Sequence, residues 1–196
     1  MDDRHGARQP HRFDPARSGL LDDEERFAYV PPARVLAMLD VPSHGTLLDF
    51  GTGTGTYALA IARARPDVRV FALDEQEPML AQVRAKLAAS PLPNVTVIGP
   101  DALAALRASV TRILALNVLH ELGDAALVEL RALLAPGGRA GVVDWNADVE
   151  RPIGPRREHV YGDAEATARL VAAGFTVTAR TAFPYHLGFT VTDSRG

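Results

Sequence analysis

Leu47-Leu48-Asp49-Phe50-Gly51-Thr52-Gly53-Thr54-Gly55-Thr56-Tyr57-Ala58-Leu59-Ala60-Ile61-Ala62 decides the fold. An apolar run stops at Asp49, three glycines follow at alternate positions, and the apolar spacing then becomes that of a helix. Strand, glycine turn and helix in this order make a nucleotide-type cofactor site. A backbone without Cβ can take positive φ and let a ligand approach its N–H groups. The N-terminus of a helix over Thr56 to Ala64 adds unpaired donors and a partial positive charge. A dinucleotide fingerprint would put its third glycine at position 56, which is Thr56. The pattern is instead acid-x-G-x-G-x-G, and the Asp49 carboxylate would repel a pyrophosphate and attract an ammonium.

Composition bounds the rest. At 196 residues and 47% hydrophobic, the chain suits one globular domain with a full core. With 21 basic and 24 acidic residues, the net charge of -3 gives no electrostatic footprint for nucleic acid. Cysteine is absent, which excludes disulfides, thiolate metal sites and thiol nucleophiles. No apolar run approaches the roughly 18 residues of a membrane span. The polar start, Met1 to Pro15, lacks the apolar centre of a signal peptide, so a soluble cytoplasmic protein is expected, with a homodimer left open.

Asp49-Phe50-Gly51-Thr52-Gly53-Thr54-Gly55 resembles the first motif of class I S-adenosylmethionine-dependent methyltransferases. The resemblance implies that this turn, with Asp49, Gly51, Thr52, Gly53 and Gly55, holds the methionine moiety of S-adenosyl-L-methionine. It also implies an α/β, Rossmann-like open sheet of seven mostly parallel strands, order 3-2-1-4-5-7-6 with the last antiparallel, and helices on both faces. Residues 1–12 are expected to be a disordered tail and 13–196 one methyltransferase-like domain, with a helical cover at about 16–40. Leu20 to Tyr29 reads as one helical pattern, and Pro32 opens the next. His11-Arg12-Phe13-Asp14-Pro15, followed by Leu21-Asp22-Asp23, is similar to a lead-in of one bacterial subgroup.

Downstream, Val68 to Leu73 is a strand ending in Asp74, 19 residues past Gly55 and positioned to accept from both hydroxyls of a ribose. That supports a ribose, not a particular cofactor. Met79 resembles the family's methionine packed near the adenine. Asn94 to Ile98 leads to Asp101-Ala102, a pair that in the family faces the adenine; alternatively Asp101 caps a helix from Ala102 to Arg107. Arg112 to Leu116 is a strand, apolar after its first residue, ending in Asn117-Val118-Leu119-His120-Glu121-Leu122, and its carboxyl edge borders the reacting end of the cofactor. This end resembles methyltransferases related to ubiquinone and menaquinone biosynthesis, and lacks the Asn/Asp-Pro-Pro-aromatic run of DNA-base enzymes. A helix from Asp124 ends at Pro136-Gly137-Gly138, where Gly137 or Gly138 supplies a left-handed residue, and Arg139 to Trp145 is the fifth strand. A long loop, 146–162, carries Arg156, Arg157 and His159; Asp163 caps the next helix, and a closing antiparallel pair ends the sheet.

Methyl transfer needs water exclusion, alignment and, for a weakly acidic nucleophile, a base. His120 and His159 are the candidate bases, with His186 and Glu121 behind them. Their spacing suggests no metal site. The expected activity is methyl transfer to a small-molecule acceptor, without nucleic acid. The alternatives are a non-enzymatic S-adenosylmethionine-binding sensor or scaffold, and a nicotinamide-dependent oxidoreductase, which Thr56, Asp49 and the closing hairpin oppose.

Overall fold

The computed structural model describes residues 14–22 and 25–195; the expected N-terminal tail and His11 to Phe13 lie outside them. Seven strands form one sheet: β1 (Thr46–Phe50), β2 (Arg69–Leu73), β3 (Val95–Ile98), β4 (Val110–Leu116), β5 (Leu134–Trp145), β6 (Phe175–Ala182) and β7 (His186–Asp193). Their order is β3-β2-β1-β4-β5-β7-β6, parallel except that β7 runs antiparallel to both neighbours. This is the expected topology, and its switch point lies between β1 and β4.

The central strands are mostly apolar because both faces are covered, with Asp49, Arg112 and Asp144 as buried charged exceptions. Leu47, Leu114, Leu116 and Val143 pack with helices α2 (Pro32–Leu39) and α3 (Thr56–Ala64). Leu48, Ile113, Ala115 and Val142 face the other way, towards α5 (Asp124–Leu133) and α6 (Asp163–Ala172). α2 comes close because β5 and β7 offer glycines there: a Cβ on Gly141 would meet Leu39 at 2.9 Å, and one on Gly188 would meet Met38 at 2.9 Å. The third glycine of the turn serves packing too. A Cβ on Gly55 would stand 3.0 Å from Val83 of α4 (Glu77–Ala89), and its φ of +81° starts α3.

Four local expectations change. The single helix over Leu20 to Tyr29 is a 3-10 turn, Pro15–Leu21, followed by the short α1, Arg26–Tyr29. Between them Asp22 turns to the glycine loop, where its carboxylate accepts from Thr54 Oγ1 and Lys86 Nζ at 2.5 Å each. Pro136-Gly137-Gly138 does not end α5 but lies inside β5, which starts at Leu134; the left-handed Gly137 sits where the register with β4 shifts. Asp163 is the first residue of α6, with Gly162 at the cap. The Asp163 N–H is instead satisfied by Asp148 of the preceding loop at 2.8 Å. The helix expected after Asp101 is a 3-10 turn, Pro100–Leu106, capped by Gly99.

Candidate functional site

The carboxyl ends of β1, β2, β4 and β5, the start of β7, the N-terminal segment and the 146–162 loop wall one cavity of about 1310 Å³. At one end lies the glycine turn. Gly51 and Gly53 take positive φ, +77° and +55°, and both line the cavity. The N–H groups of Gly51 and Thr52 are held by Leu73 O at 2.9 and 2.7 Å, which ties the turn to β2. Leu21 covers the turn, since a Cβ on Gly53 would touch its Cδ1 at 3.0 Å.

Two carboxylates face this end. Asp49 is 3% exposed and accepts from Thr52 Oγ1 at 2.7 Å. Burial pushes its pKa up to about 6 against the Thr52 hydrogen bond, and the charge of Asp74 adds to the rise. Asp74 accepts from the N–H groups of Gly53 and Gln76 at 2.8 and 2.9 Å, and burial raises its pKa as well. Two buried acids so close call for a cation and for hydroxyl donors. Asn117, at φ +58°, lines the same wall, and its buried Oδ1 has no hydrogen-bond partner among the described residues. A ligand with an ammonium, a ribose and further N–H donors fits these groups. Met79, fully buried, lines the cavity below them. Gly55, Asp101 and Ala102 stand outside the lining; Asp101 is exposed on its 3-10 turn, for which Gly99 supplies the cap.

At the other end His120 meets Asp144, the last acid of β5. His120 Nδ1 lies 2.8 and 2.9 Å from the two carboxylate oxygens, and the His120 N–H donates to Oδ2 at 2.9 Å. The Trp145 N–H donates to Oδ1 at 2.7 Å, so Asp144 cannot swing away. The side chains are 7% and 6% exposed. Burial lowers the His120 pKa, but the charge and hydrogen bond of Asp144, with Glu121 adding, outweigh it and the net shift is upward. Glu121 Oε1 is 3.7 Å from His120 Nε2. Sequence reasoning missed Asp144, although an acid at a strand's carboxyl end was the signal that singled out Asp74. His159 lines the cavity from the exposed 3-10 turn Arg157–His159, apart from this pair.

His186 opens β7 directly across from Trp145, and the rings stack at 4.0 Å. Both ring nitrogens are buried without a hydrogen-bond partner among the described residues. Burial pushes its pKa down to about 4, opposed by Asp144 and reinforced by the charges of Arg26, Arg151 and His120. A histidine depressed this far is neutral when folded, while the unfolded chain takes up a proton below about pH 6.5. Stability should therefore fall as pH drops from about 6.5 to about 4, by up to about 3 kcal/mol from this group. Subtracting the urea-unfolding free energy of His186→Gln from that of the wild type at each pH isolates the effect; a flat difference would refute it.

Among the described residues no group of side chains could hold a metal ion, and no helix is long and apolar enough to cross a membrane.

With this geometry in hand, a profile of methyltransferase domains matches residues 47–138, from β1 into β5. The chain is similar to the crystal structure of a SAM-dependent methyltransferase from Aquifex aeolicus, with 29% identity and a TM-score of 0.85 over 92% of this chain and 98% of that one. An O-methyltransferase from neocarzinostatin biosynthesis, solved with S-adenosyl-L-homocysteine and 1,4-dihydroxy-2-naphthoic acid, shares the fold at 18% identity and a TM-score of 0.74, over 92% of this chain and 59% of that one. Among curated proteins the chain is similar to a tRNA (guanine-N(7)-)-methyltransferase from Anaeromyxobacter dehalogenans, 32% identical over 143 residues, 65% of each protein. A protein of the same description from Exiguobacterium is 34% identical over 59 residues, 30% of this chain. The chain thus spans 65% and 27% of the lengths of these two curated relatives.

Proposed function

We propose, for a chain that belongs to the class I S-adenosylmethionine-dependent methyltransferases, methyl transfer to a small-molecule acceptor by in-line displacement, with His120 as general base. S-adenosyl-L-methionine is the cofactor of this family and supplies an activated methyl group. The observation that carries the reading is one cavity lined both by the glycine turn with Asp49 and Asp74 and by His120, whose Nδ1 is held by Asp144 behind it. Asp49 would hold the cofactor's ammonium and Asp74 its ribose hydroxyls. Gly51, Gly53, Thr52, Met79 and Asn117 would complete its seat. Alignment of the acceptor with the methyl group can be worth several kcal/mol, up to ~7 to 11 for ideal orientation. Asp144 fixes the His120 ring and draws the proton to Nδ1, so Nε2 is the atom that takes a proton.

The names of the curated relatives favour a second reading, a tRNA base as acceptor. The charge of the cavity speaks against it. Asp14, Glu25, Asp49, Asp74, Glu75, Glu121 and Glu129 line it against the guanidiniums of Arg26 and Arg156, a poor receptor for phosphates.

Calorimetric titration of the folded protein should give micromolar binding of S-adenosylmethionine and S-adenosylhomocysteine, none of NAD(H), and a loss of at least ~10-fold in Asp74→Ala, as expected when a charge-assisted hydrogen bond is removed. Transfer of radiolabelled methyl should then go to a small-molecule fraction and not to tRNA. Absence of binding would refute the cofactor site, and labelled tRNA would refute the acceptor class.

A further inference from the structure

We propose that His186 anchors the methyl acceptor, and that the acceptor carries an uncharged hydroxyl, set apart from the atom that is methylated, to hydrogen-bond its imidazole. The inference rests on the methyl-transfer reading above. His186 is 3% exposed and lines the cavity, yet takes no part in the proton transfer assigned to His120. Neither its Nδ1 nor its Nε2 has a hydrogen-bond partner among the described residues. A neutral imidazole carries one N–H and one lone pair, so the ring has both a donor and an acceptor unanswered. Such groups destabilise a fold, and one kept at a cavity wall is ready for a ligand's polar atom. Both nitrogens are closed to solvent, so bulk water does not serve them. A turn of the ring about its Cβ–Cγ bond presents a nitrogen to the cavity that the ring already lines.

Position assigns this residue to binding rather than to proton transfer. Along the sheet edge the order is β1, β4, β5, β7, which sets the glycine turn, His120, Asp144 with Trp145, and His186 in a row. β7 runs antiparallel, so its first residue stands beside the last of β5, and the rings of His186 and Trp145 stack at 4.0 Å. His186 is thus at the far end of the row from the cofactor seat, with the base between them. An acceptor whose reacting atom meets His120 extends towards β7 and brings a second group to His186. Burial pushes the pKa of His186 down to about 4, which makes it a poor base near neutral pH and keeps its ring uncharged.

The surroundings select an uncharged group. Gly154 of the 146–162 loop packs on the Trp145 indole, which a Cβ there would meet at 2.9 Å. Tyr29 packs on Tyr185, the residue before His186, with ring centroids 5.2 Å apart. Rings and backbone therefore wall this end, and an ion would give up its hydration for a neutral ring. The charges of Arg26 and Arg151 are opposed at His186 by that of Asp144, and Arg151 stands outside the lining. A carboxylate answers only the N–H and an ammonium only the lone pair, whereas a hydroxyl answers whichever nitrogen faces it.

The test uses full-length protein saturated with S-adenosylhomocysteine and labelled with nitrogen-15 in the histidine rings, the His186 signals being assigned by their loss in His186→Phe. Benzyl alcohol, toluene and benzoate are titrated as probes of one shape. Benzyl alcohol should shift a ring nitrogen of His186 and bind about fivefold more tightly than toluene, the worth of one net hydrogen bond. It should also bind more tightly than benzoate. In His186→Phe the preference over toluene should vanish, while affinity for S-adenosylhomocysteine stays that of the wild type. Unmoved His186 signals at saturating benzyl alcohol, equal or tighter binding of toluene or benzoate, or a preference that survives His186→Phe overturns the inference. The wild-type affinities decide it even if the variant fails to fold. If S-adenosylhomocysteine itself does not bind, the methyl-transfer reading falls and this inference with it; if it binds and no hydroxyl preference exists, this inference alone falls.

Discussion

Asp144→Asn is expected to lower turnover by about 10²- to 10⁴-fold, the range of a lost general base, with affinity for S-adenosylmethionine unchanged. The carboxylate accepts from His120 Nδ1, the His120 N–H and the Trp145 N–H. An amide offers one oxygen and an NH2 group that must face one of these donors. The least disruptive answer is a flip of the imidazole tautomer, so that Nδ1 accepts from the new amide and Nε2 carries the hydrogen. The ring then stays in place with its lone pair on the wrong side. His120→Ala should be about as slow, and the double variant no slower than either, because the two residues act as a unit. In the wild type the base must be deprotonated, so the rate should rise with pH through a value above the ordinary 6.5, in the direction of the His120 shift. Asp144→Asn should pull that limb down. The same pair stabilises the fold below about pH 6.5 and loses this contribution as pH rises through the raised value, so the variant's loss of stability should be largest at acid pH. The measurement is steady-state transfer of radiolabelled methyl to the acceptor found by screening. An Asp144→Asn enzyme within a few-fold of wild type would remove the base from the mechanism.

Much of this arrangement is legible in the residues. The glycine turn, the acid after β2 and the polar end of β4 come from local pattern, because a strand buried on both faces is a short apolar run and its polar terminus marks the sheet edge. The closing hairpin is legible from its two runs of β-branched and aromatic residues on either side of a turn. What the sequence does not disclose is pairing between segments far apart. Asp144 and His120 are 24 residues apart, and each alone reads as an ordinary strand-end residue. His186 gains its character from register, which sets it against Trp145 and leaves its ring nitrogens without a hydrogen-bond partner among the described residues. Gly55 has a packing role that its spacing hides: grouped with Gly51 and Gly53 in the sequence, it also has a φ of +81° and would place a Cβ 3.0 Å from Val83 of α4. Pro136-Gly137-Gly138 reads as a helix stop because turn chemistry is the same in a strand irregularity, and only the register of β4 with β5 tells the two apart. Asp101 likewise depends on how a short turn is capped, which neighbouring residues decide.

Asp49→Asn should stabilise the ligand-free protein and weaken the cofactor in one step. Burial raises the Asp49 pKa to about 6 from an ordinary value of 3.8. A carboxyl shifted upward is protonated when folded and ionised when unfolded between those two values, so stability falls as pH rises from about 4 to about 6 and stays lower above that. The full difference is about 3 kcal/mol at one pKa unit per ~1.4 kcal/mol. Asparagine removes this penalty, and its oxygen can still accept from Thr52 Oγ1, which now sits 2.7 Å from the carboxylate. At pH 8 the apo variant should therefore unfold at higher urea than the wild type, and the two should converge near pH 4. This slope is opposite to that of His186 over an overlapping range. The wild-type curve alone can then look flat, and only differences between variant and wild type separate the two groups. The natural residue is tolerated, on this account, because the cofactor's ammonium restores the ionised form. Affinity for S-adenosylmethionine should fall by about 10- to 100-fold in the variant, as for loss of a charge-assisted hydrogen bond. In the wild type, binding at pH 6 should release close to half a proton, seen as an enthalpy that changes with the ionisation heat of the buffer; in Asp49→Asn that dependence should vanish. A variant that is no more stable at pH 8, or that binds S-adenosylmethionine as the wild type does, would take Asp49 out of the cofactor seat and leave its buried charge to some other partner.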